Sequence, residues 1–229
     1  MSGGRYYRLP DRRIVPSVSA VIDALSKPAL TYWAAKVVAE SAVKDRDYWS
    51  DLDDEVAVGW LKKATYRTTK KAADRGRDVH TAIETGDWRG VEAFRPAYDN
   101  MVAAHGEPRI LVAEKVVWTD QYAGRLDCVA EFDSGLFVVD WKTTGAVRAS
   151  TELQLAAYAE AFDRMEGSPL LDGAVVVRLT DGGEFEWVEY TNEELCRGFE
   201  TFMSLLAVMK WQVKKGELYG PSDVIDVTA

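Results

Sequence analysis

The chain has 229 residues, of which 47% are hydrophobic and 8 are tryptophans, a composition typical of a folded domain rather than a disordered chain. No apolar run approaches the ~20 residues needed to span a bilayer, and the first residues lack the apolar segment of a signal peptide. We therefore expect no association with membranes, and because Cys128 and Cys196 are neither paired by motif nor spaced as metal ligands, we expect a reducing, cytoplasmic location. The net charge of −9 argues against nucleic-acid binding by the surface as a whole.

The N-terminal half is predicted to be helical. One helix is expected over residues 16–25, where proline and serine are start signals, and a second has Pro28 in its first turn. A third is expected over residues 54–86, with a break near Gly76, and a shorter one over residues 91–106.

From residue 109 the pattern changes to β-branched and alternating runs. These predict three sequential strands, then a helix, two further strands and a long closing helix, over residues 109–118, 124–132, 135–143, 151–165, 173–179, 184–191 and 192–216. This order predicts an α/β fold with a mixed sheet. We expect an N-terminal helical region, 1–108, and a core, 109–229, that together form one compact domain.

Positive charge is concentrated between Trp60 and Arg77, where Asp74 is the only acid. A charge run of this kind is usually a solvated helix face. Because the run leads to His80, a track for the phosphates of DNA is the alternative. The residues predicted to form that track are Lys62, Lys63, Arg67, Lys70 and Lys71.

Three charged residues lie within runs that otherwise predict buried strands: Asp127, Asp140 and Lys142. A lone charge in a strand interior costs several kcal/mol, on the order of the penalty for an unpaired buried ion, so these groups are expected to neutralise one another or a metal ion. Strand alternation places Asp140 and Lys142 on one face.

Asp127, on the neighbouring strand, lies on the same face only if the hairpin register is even. We expect Asp127 opposite Lys142 and Val129 opposite Asp140, with a two-residue turn at 134–135 or a four-residue loop around it. A slip by one residue would send Asp127 to the opposite face.

Two carboxylates and a lysine suit phosphodiester hydrolysis. The carboxylates favour a hard cation, Mg²⁺ or Mn²⁺, which lowers the pKa of water, while the lysine orients or deprotonates water and offsets charge on the phosphate. The alternative is a cross-strand Asp–Lys salt bridge without a catalytic role.

Four short motifs occur in a fixed order: GRDVH (76–80), GRLD (124–127), DWKT (140–143) and QLAAY (154–158). They resemble the signatures G-x-x-x-H, G-x-x-D, D-x-K and Q-x-x-x-Y of the RecB-like branch of the PD-(D/E)XK nuclease superfamily. The chain is more specifically similar to the stand-alone exonucleases of bacteriophages. The resemblance implies a restriction-endonuclease-like core, with a mixed central sheet flanked by helices, and an N-terminal helical region.

The resemblance also implies roles for individual residues. His80, Asp127 and Asp140 would be metal ligands together with the backbone carbonyl of Trp141, and Lys142 would be the catalytic lysine beside the two aspartates.

Further residues are implied at the edge of that site. Gln154, Tyr158 and Thr143 would contact the DNA strand that is cut. Glu114 in the preceding strand and Glu84, one helical turn after His80, would make outer-sphere contacts with the metal; the alternative for Glu114 is an exposed acid at a strand edge without a role in the site.

The activity implied is that of a Mg²⁺- or Mn²⁺-dependent deoxyribonuclease, an exonuclease in DNA recombination or processing. DNA is the expected partner, and an annealing protein or helicase is implied by the resemblance alone. Related nucleases often carry four cysteines that bind an iron–sulfur cluster, which Cys128 and Cys196 alone cannot build. Two other functions are open: an inactive nucleic-acid-binding module on the same fold, and a metal-dependent hydrolase of small phosphate esters.

Overall fold

The computed structural model of the chain describes residues 4–25, 28–143, 145–167, 171–216, 218, 221 and 223–228. Contacts divide the chain into two units, one formed by residues 1–25 and 79–229 and the other by residues 26–78. The predicted division at residue 108 stays a prediction.

Eight helices occur in the described residues: α1 (Val18–Asp23), α2 (Pro28–Lys44), α3 (Arg46–Trp49), α4 (Asp54–Lys62), α5 (Ala64–Thr85), α6 (Arg95–His105), α7 (Ala149–Glu166) and α8 (Asn192–Lys215). A short 3₁₀ turn, Glu92–Phe94, precedes α6. None of the described helices combines the length and the apolar character that crossing a membrane requires.

The predicted helices are observed, but the break expected near Gly76 lies at Lys63 instead. The helix expected over residues 54–86 is interrupted at Lys63, and α5 continues through Gly76 without interruption. Start signals act as expected, because the Ser17 side chain accepts a hydrogen bond from the backbone N–H of Ala20 and caps α1. Thr191 caps α8 in a reciprocal arrangement with Glu194.

The strands are β1 (Arg5–Arg8), β2 (Ile14–Pro16), β3 (Arg109–Ala113), β4 (Val116–Trp118), β5 (Ala123–Arg125), β6 (Cys128–Phe132), β7 (Gly135–Lys142), β8 (Gly173–Leu179), β9 (Phe185–Thr191) and β10 (Asp223–Asp226). The central sheet has the order β3-β6-β7-β8-β9. β7 and β8 are parallel and joined through α7, while the other neighbours are antiparallel. The predicted α/β fold with a mixed sheet flanked by helices is therefore confirmed.

Both faces of the central sheet are buried along the inner strands β7 and β8. Val138 packs with residues of α1, α7 and α8 on one face. Phe137 and Val139 pack with Val79 of α5 and Met101 of α6 on the other. Alternate side chains of β7 therefore pack into two apolar cores, one on each face of the sheet. The strand ends with the polar residues Asp140 and Lys142.

The prediction of three unbroken strands after residue 109 was wrong. The first run breaks at Glu114 into β3 and β4, and the second breaks before Cys128 into β5 and β6. β4 and β5 form a separate two-stranded sheet. A further sheet of order β10-β1-β2 joins strands near the two ends of the sequence, and its pattern was not predicted.

Candidate active site

The end of β7 delivers a buried carboxylate and a partly exposed lysine to one place. Asp140 is only 2% exposed. The Lys142 ammonium donates a hydrogen bond to Asp140 Oδ1 at 2.8 Å and lies 2.7 Å from Oδ2 as an ion contact. Gln154 Nε2 of α7 donates to the same Oδ1 at 3.2 Å. Asp140 Oδ2 accepts no hydrogen bond from any described residue, so this buried oxygen retains capacity for a ligand.

Asp127 lies immediately before β6 and is held by the backbone of the neighbouring strand. Its Oδ2 accepts a hydrogen bond from the Trp141 N–H at 3.0 Å. His80, on α5, places Nε2 3.1 Å from the Trp141 carbonyl oxygen and 3.8 Å from Asp127 Oδ2. The four groups implied as metal ligands therefore come from three separate elements and meet at the end of β7.

The hairpin that joins β6 and β7 differs in register from the prediction. Val129 faces Val138 rather than Asp140, a shift of two residues, and the turn lies at 133–134 rather than 134–135. Because the shift is even, every side chain keeps the predicted face. The convergence of Asp127 with Asp140 is therefore retained although the pairing was wrong.

Glu114 lies at the break between β3 and β4, with a φ of +50°, a backbone conformation that non-glycine residues rarely adopt. Its backbone N–H donates to the carbonyl of Asp127 at 2.7 Å. Oε1 lies 3.9 Å from His80 Nδ1, and Oε2 lies 2.9 Å from Arg125 Nε. Ligand atoms of Glu114, His80 and Asp127 all lie within 4.8 Å of one another. The strained residue thus sits inside the cluster rather than beside it.

Burial disfavours the charged forms of both aspartates. Burial, and after it the charge of Asp140, raises the pKa of Asp127 to about 7, although His80, Lys142 and the hydrogen bond from the Trp141 N–H oppose the rise. Burial also raises the pKa of Asp140, while the Lys142 ammonium opposes the rise. Carboxylates crowded in this way are typical of functional sites.

The donor set fits a hard divalent cation. Carboxylate and carbonyl oxygens are the ligands that Mg²⁺ and Mn²⁺ prefer, and an imidazole suits the transition metal of the two. Neighbouring ligand atoms of an octahedral ion with bonds near 2.1 Å are about 3 Å apart. His80 Nε2 and the Trp141 oxygen are 3.1 Å apart. Asp140, the residue before Trp141, adds a buried carboxylate whose Oδ2 contacts the Lys142 ammonium but accepts no hydrogen bond from a described residue.

Gln154, which is half-buried, contacts Asp140, and Tyr158 on the next turn of α7 is buried. Tyr158 is only 6% exposed, and burial raises the pKa of its hydroxyl while a hydrogen bond with Gln154 opposes the rise. A Cβ atom at Gly124 would come within 2.5 Å of the Tyr158 ring. The GRLD motif thus carries a glycine where the ring packs against the backbone, and Tyr158 forms a hydrogen bond with Gln154, which in turn donates to Asp140.

The remaining predicted site residues lie at the margin. Thr143 follows β7 and is partly buried. Glu84 is exposed on α5, and burial, followed by the charge of Glu114, raises its pKa while His80 lowers it. Glu84 therefore belongs electrostatically to the cluster. Arg125 was not among the site residues predicted from the sequence. Its position two residues before Asp127 in a predicted strand could have indicated it, because alternate residues of a strand share a side.

The basic run belongs to the unit of residues 26–78, whereas the carboxylate cluster belongs to the other unit. Arg67 is engaged within its own unit: its guanidinium stacks 3.8 Å from the Trp60 ring centre and donates to the Trp60 carbonyl at 2.7 Å. Lys70 pairs with Asp74 at 3.2 Å. The lysines of the predicted track are all exposed: Lys62, Lys63, Lys70 and Lys71.

Comparison with known proteins assigns the chain to a family. A solved structure titled "Crystal structure of SSO0001" is 12% identical, with a TM-score of 0.31, and the match covers 82% of this chain and 84% of that one. No curated protein matches the chain. The sequence profile of the PD-(D/E)XK nuclease superfamily matches residues 18–215, which include the whole cluster. The chain belongs to the PD-(D/E)XK nuclease superfamily.

Proposed function

We propose that the protein is a metal-dependent DNA phosphodiester hydrolase, an exonuclease of the RecB-like type that acts in DNA recombination or processing. One observation carries the proposal. The buried Asp140, paired with Lys142 at 2.7 Å, stands beside the cluster of His80, Glu114 and Asp127. A structural salt bridge would not require this additional crowding of acids, whose cost is visible in the raised pKa of Asp127.

The residues that would hold a cation are Asp127, Asp140, His80 and the carbonyl of Trp141. When bound, Mg²⁺ or Mn²⁺ supplies positive charge beside the phosphate and lowers the pKa of water. All four of these ligand groups belong to or contact the end of β7, so the strand backbone contributes to their mutual positions.

Lys142 acts on the phosphate. Its ammonium is held by Asp140, and its side chain is 35% exposed, so it has a fixed position and access to a substrate. A cation placed there orients water and offsets the negative charge that develops on the phosphate oxygens in the transition state. Gln154 fixes the Asp140 carboxylate through Oδ1, which keeps the lysine partner from rotating.

A polymer substrate is supported by the exposed lysines of α4 and α5. A chain of net charge −9 repels DNA at a distance, so binding requires a local basic surface. The bacteriophage-like exonuclease role, an annealing protein or helicase as partner, and a cytoplasmic location are proposed on the sequence resemblance.

The test is a cleavage assay of the purified protein on labelled linear duplex, circular duplex and single-stranded DNA, with Mg²⁺, Mn²⁺ or EDTA. We expect cleavage of linear DNA with either cation, no cleavage in EDTA, and resistance of covalently closed circles. Cleavage of circles would make the enzyme an endonuclease. Binding of DNA without cleavage under any cation would make it an inactive module, and hydrolysis of a small phosphodiester in preference to DNA would identify an esterase.

A further inference from the structure

An arginine that no established role explains lies beside the cation cluster. Arg125 is the last residue of β5, and its side chain is 53% exposed. Its Nε lies 2.9 Å from Glu114 Oε2, and the other oxygen of Glu114 faces His80. Arg125 therefore shares its acidic partner with the candidate metal site.

Strand alternation sets the direction of this arginine. Gly124 and Leu126 are buried, whereas Arg125 is exposed and Asp127 is partly exposed. The pairing with the preceding strand continues through this stretch, since the Leu126 N–H donates to the Lys115 carbonyl at 3.0 Å. Alternate residues of a strand share a side, so Arg125 and Asp127 are neighbours on the side that carries the cluster.

The local charge is unbalanced without a substrate. Carboxylate oxygens of Glu114 and Asp127 lie within 4.8 Å of each other, and Lys142 is committed to Asp140. Among the described residues Arg125 pairs only with Glu114, through Nε, so its terminal guanidinium nitrogens form no hydrogen bond within that part of the chain. A planar guanidinium with free donors is the group best suited to a phosphate.

We propose that Arg125 binds the DNA phosphate next to the one that is cut, and that Glu114 holds the guanidinium in position for this contact. The proposal rests on the proposed nuclease function. A DNA strand whose scissile phosphate lies at the Asp127 cluster would place its neighbouring phosphate near Arg125, two residues earlier on the same side of the chain. Glu114 directs one carboxylate oxygen at His80 and the other at Arg125 from a residue with a φ of +50°.

The first test separates substrate binding from chemistry in Arg125→Ala. We expect KM for DNA to rise about tenfold or more, because a charge-assisted contact is lost, while kcat at saturating DNA stays within about threefold. The salt slope, which is the dependence of the logarithm of the binding constant on the logarithm of salt concentration, is measured in EDTA. Its magnitude should fall by the value of one phosphate contact, about 0.9 on duplex DNA and about 0.7 on single strands. Arg125→Lys should restore most of the slope, since it retains the charge.

Glu114→Gln tests the holding role. Removal of a negative charge alone should tighten DNA binding in EDTA, so weaker binding by this variant supports Glu114 as the group that positions Arg125. Tighter binding would refute that part of the proposal.

The matched control is Arg109→Ala. Arg109 is also an exposed arginine paired with a glutamate, Glu131, but it stands at the opposite end of β3 from Glu114. Wild-type KM and slope are expected for this control. The same wild-type values in Arg125→Ala would overturn the proposal, as would a loss of Mn²⁺ affinity in calorimetry with an unchanged slope, because Arg125 would then act only through Glu114.

Failure of the nuclease function itself has a different signature. A wild-type protein that cuts no DNA with any cation refutes the proposed function, whereas an active wild type with an indifferent Arg125→Ala variant refutes this inference alone. Urea unfolding of each variant, with Arg125→Gln as a second substitution, separates lost contacts from lost folding.

Discussion

Replacing Asp127 with asparagine should stabilise the metal-free protein while impairing its metal site. The pKa of Asp127 is about 7 in the folded protein and about 3.9 in an unfolded chain. The folded state therefore retains a proton that the unfolded state has released, and the free energy of unfolding falls as pH rises from about 4 through 7. The contribution of Asp127 to folding stability is therefore fully present below the unfolded-state pKa of about 3.9 and is lost above the folded-state pKa of about 7.

The size of the effect follows from these values. A difference of about three pKa units at about 1.4 kcal/mol each sets an upper limit of about 4 kcal/mol. The amide oxygen of the introduced asparagine would still accept the Trp141 N–H, but a neutral acceptor is weaker than a carboxylate by roughly 1 kcal/mol. We therefore expect the free energy of unfolding of the Asp127→Asn variant to be higher than that of the wild type by roughly 1–3 kcal/mol at pH 8 in EDTA.

Urea unfolding in EDTA at pH 5 and pH 8 measures this difference, and repetition with Mn²⁺ should reverse it, because the wild type gains more from the cation. Asp181→Asn, in the exposed turn between β8 and β9, is the control and should change neither value. An equal difference between wild type and Asp127→Asn at both pH values would refute the reasoning that burial strains this carboxylate.

Three further predictions test the site, a packing contact and the basic run. Lys142→Ala should reduce kcat by well over tenfold and leave DNA affinity nearly unchanged in filter binding; retention of activity within about tenfold, or ~1.4 kcal/mol, would remove its catalytic role. Gly124→Ala should cost roughly 1–3 kcal/mol in urea unfolding, since the new Cβ would lie 2.5 Å from the Tyr158 ring, whereas Gly59→Ala, with open space around it in α4, should be neutral or stabilising. Neutralising the four exposed lysines from Lys62 to Lys71 should lower the salt slope on duplex DNA by up to about 0.9 per phosphate contact; an unchanged slope would make the run an ordinary solvated face.

The sequence contained enough information to place the two charged residues of β7. Their spacing of two along an apolar strand fixes a common face whatever the hairpin register, whereas Asp127 joins that face only when the register shift is even. The helix caps at Ser17 and Thr191 are equally local, since each depends on a backbone N–H within a few residues.

The hairpin register itself was not predictable from its own residues. The Asp172 carboxylate accepts from the Leu136 N–H at 2.8 Å, and the Leu136 carbonyl accepts from the Asp172 N–H at the same distance. Gly135, with a φ of +143°, lies against that carboxylate instead of in the turn. The register thus depends on a residue 36 positions away. The strand breaks at Glu114 depend in the same way on contacts with β5 and β6, which the local sequence does not encode.

The pairing of β1 with β10 has a consequence for the protein while it is being made. Arg8 and Asp226, which lie opposite each other in the parallel pair, are 218 residues apart in sequence. At roughly 5–20 residues per second, the ribosome needs roughly ten to forty seconds to deliver the second strand after the first. β2 can pair with one edge of β1 within that time, whereas the other edge stays unpaired until β10 has been made. Arg5 and Arg8 later pair with Asp223 and Asp226. Until then they are unpaired charges on an open strand edge, which discourages the nascent chain from pairing with a neighbour on the same polysome.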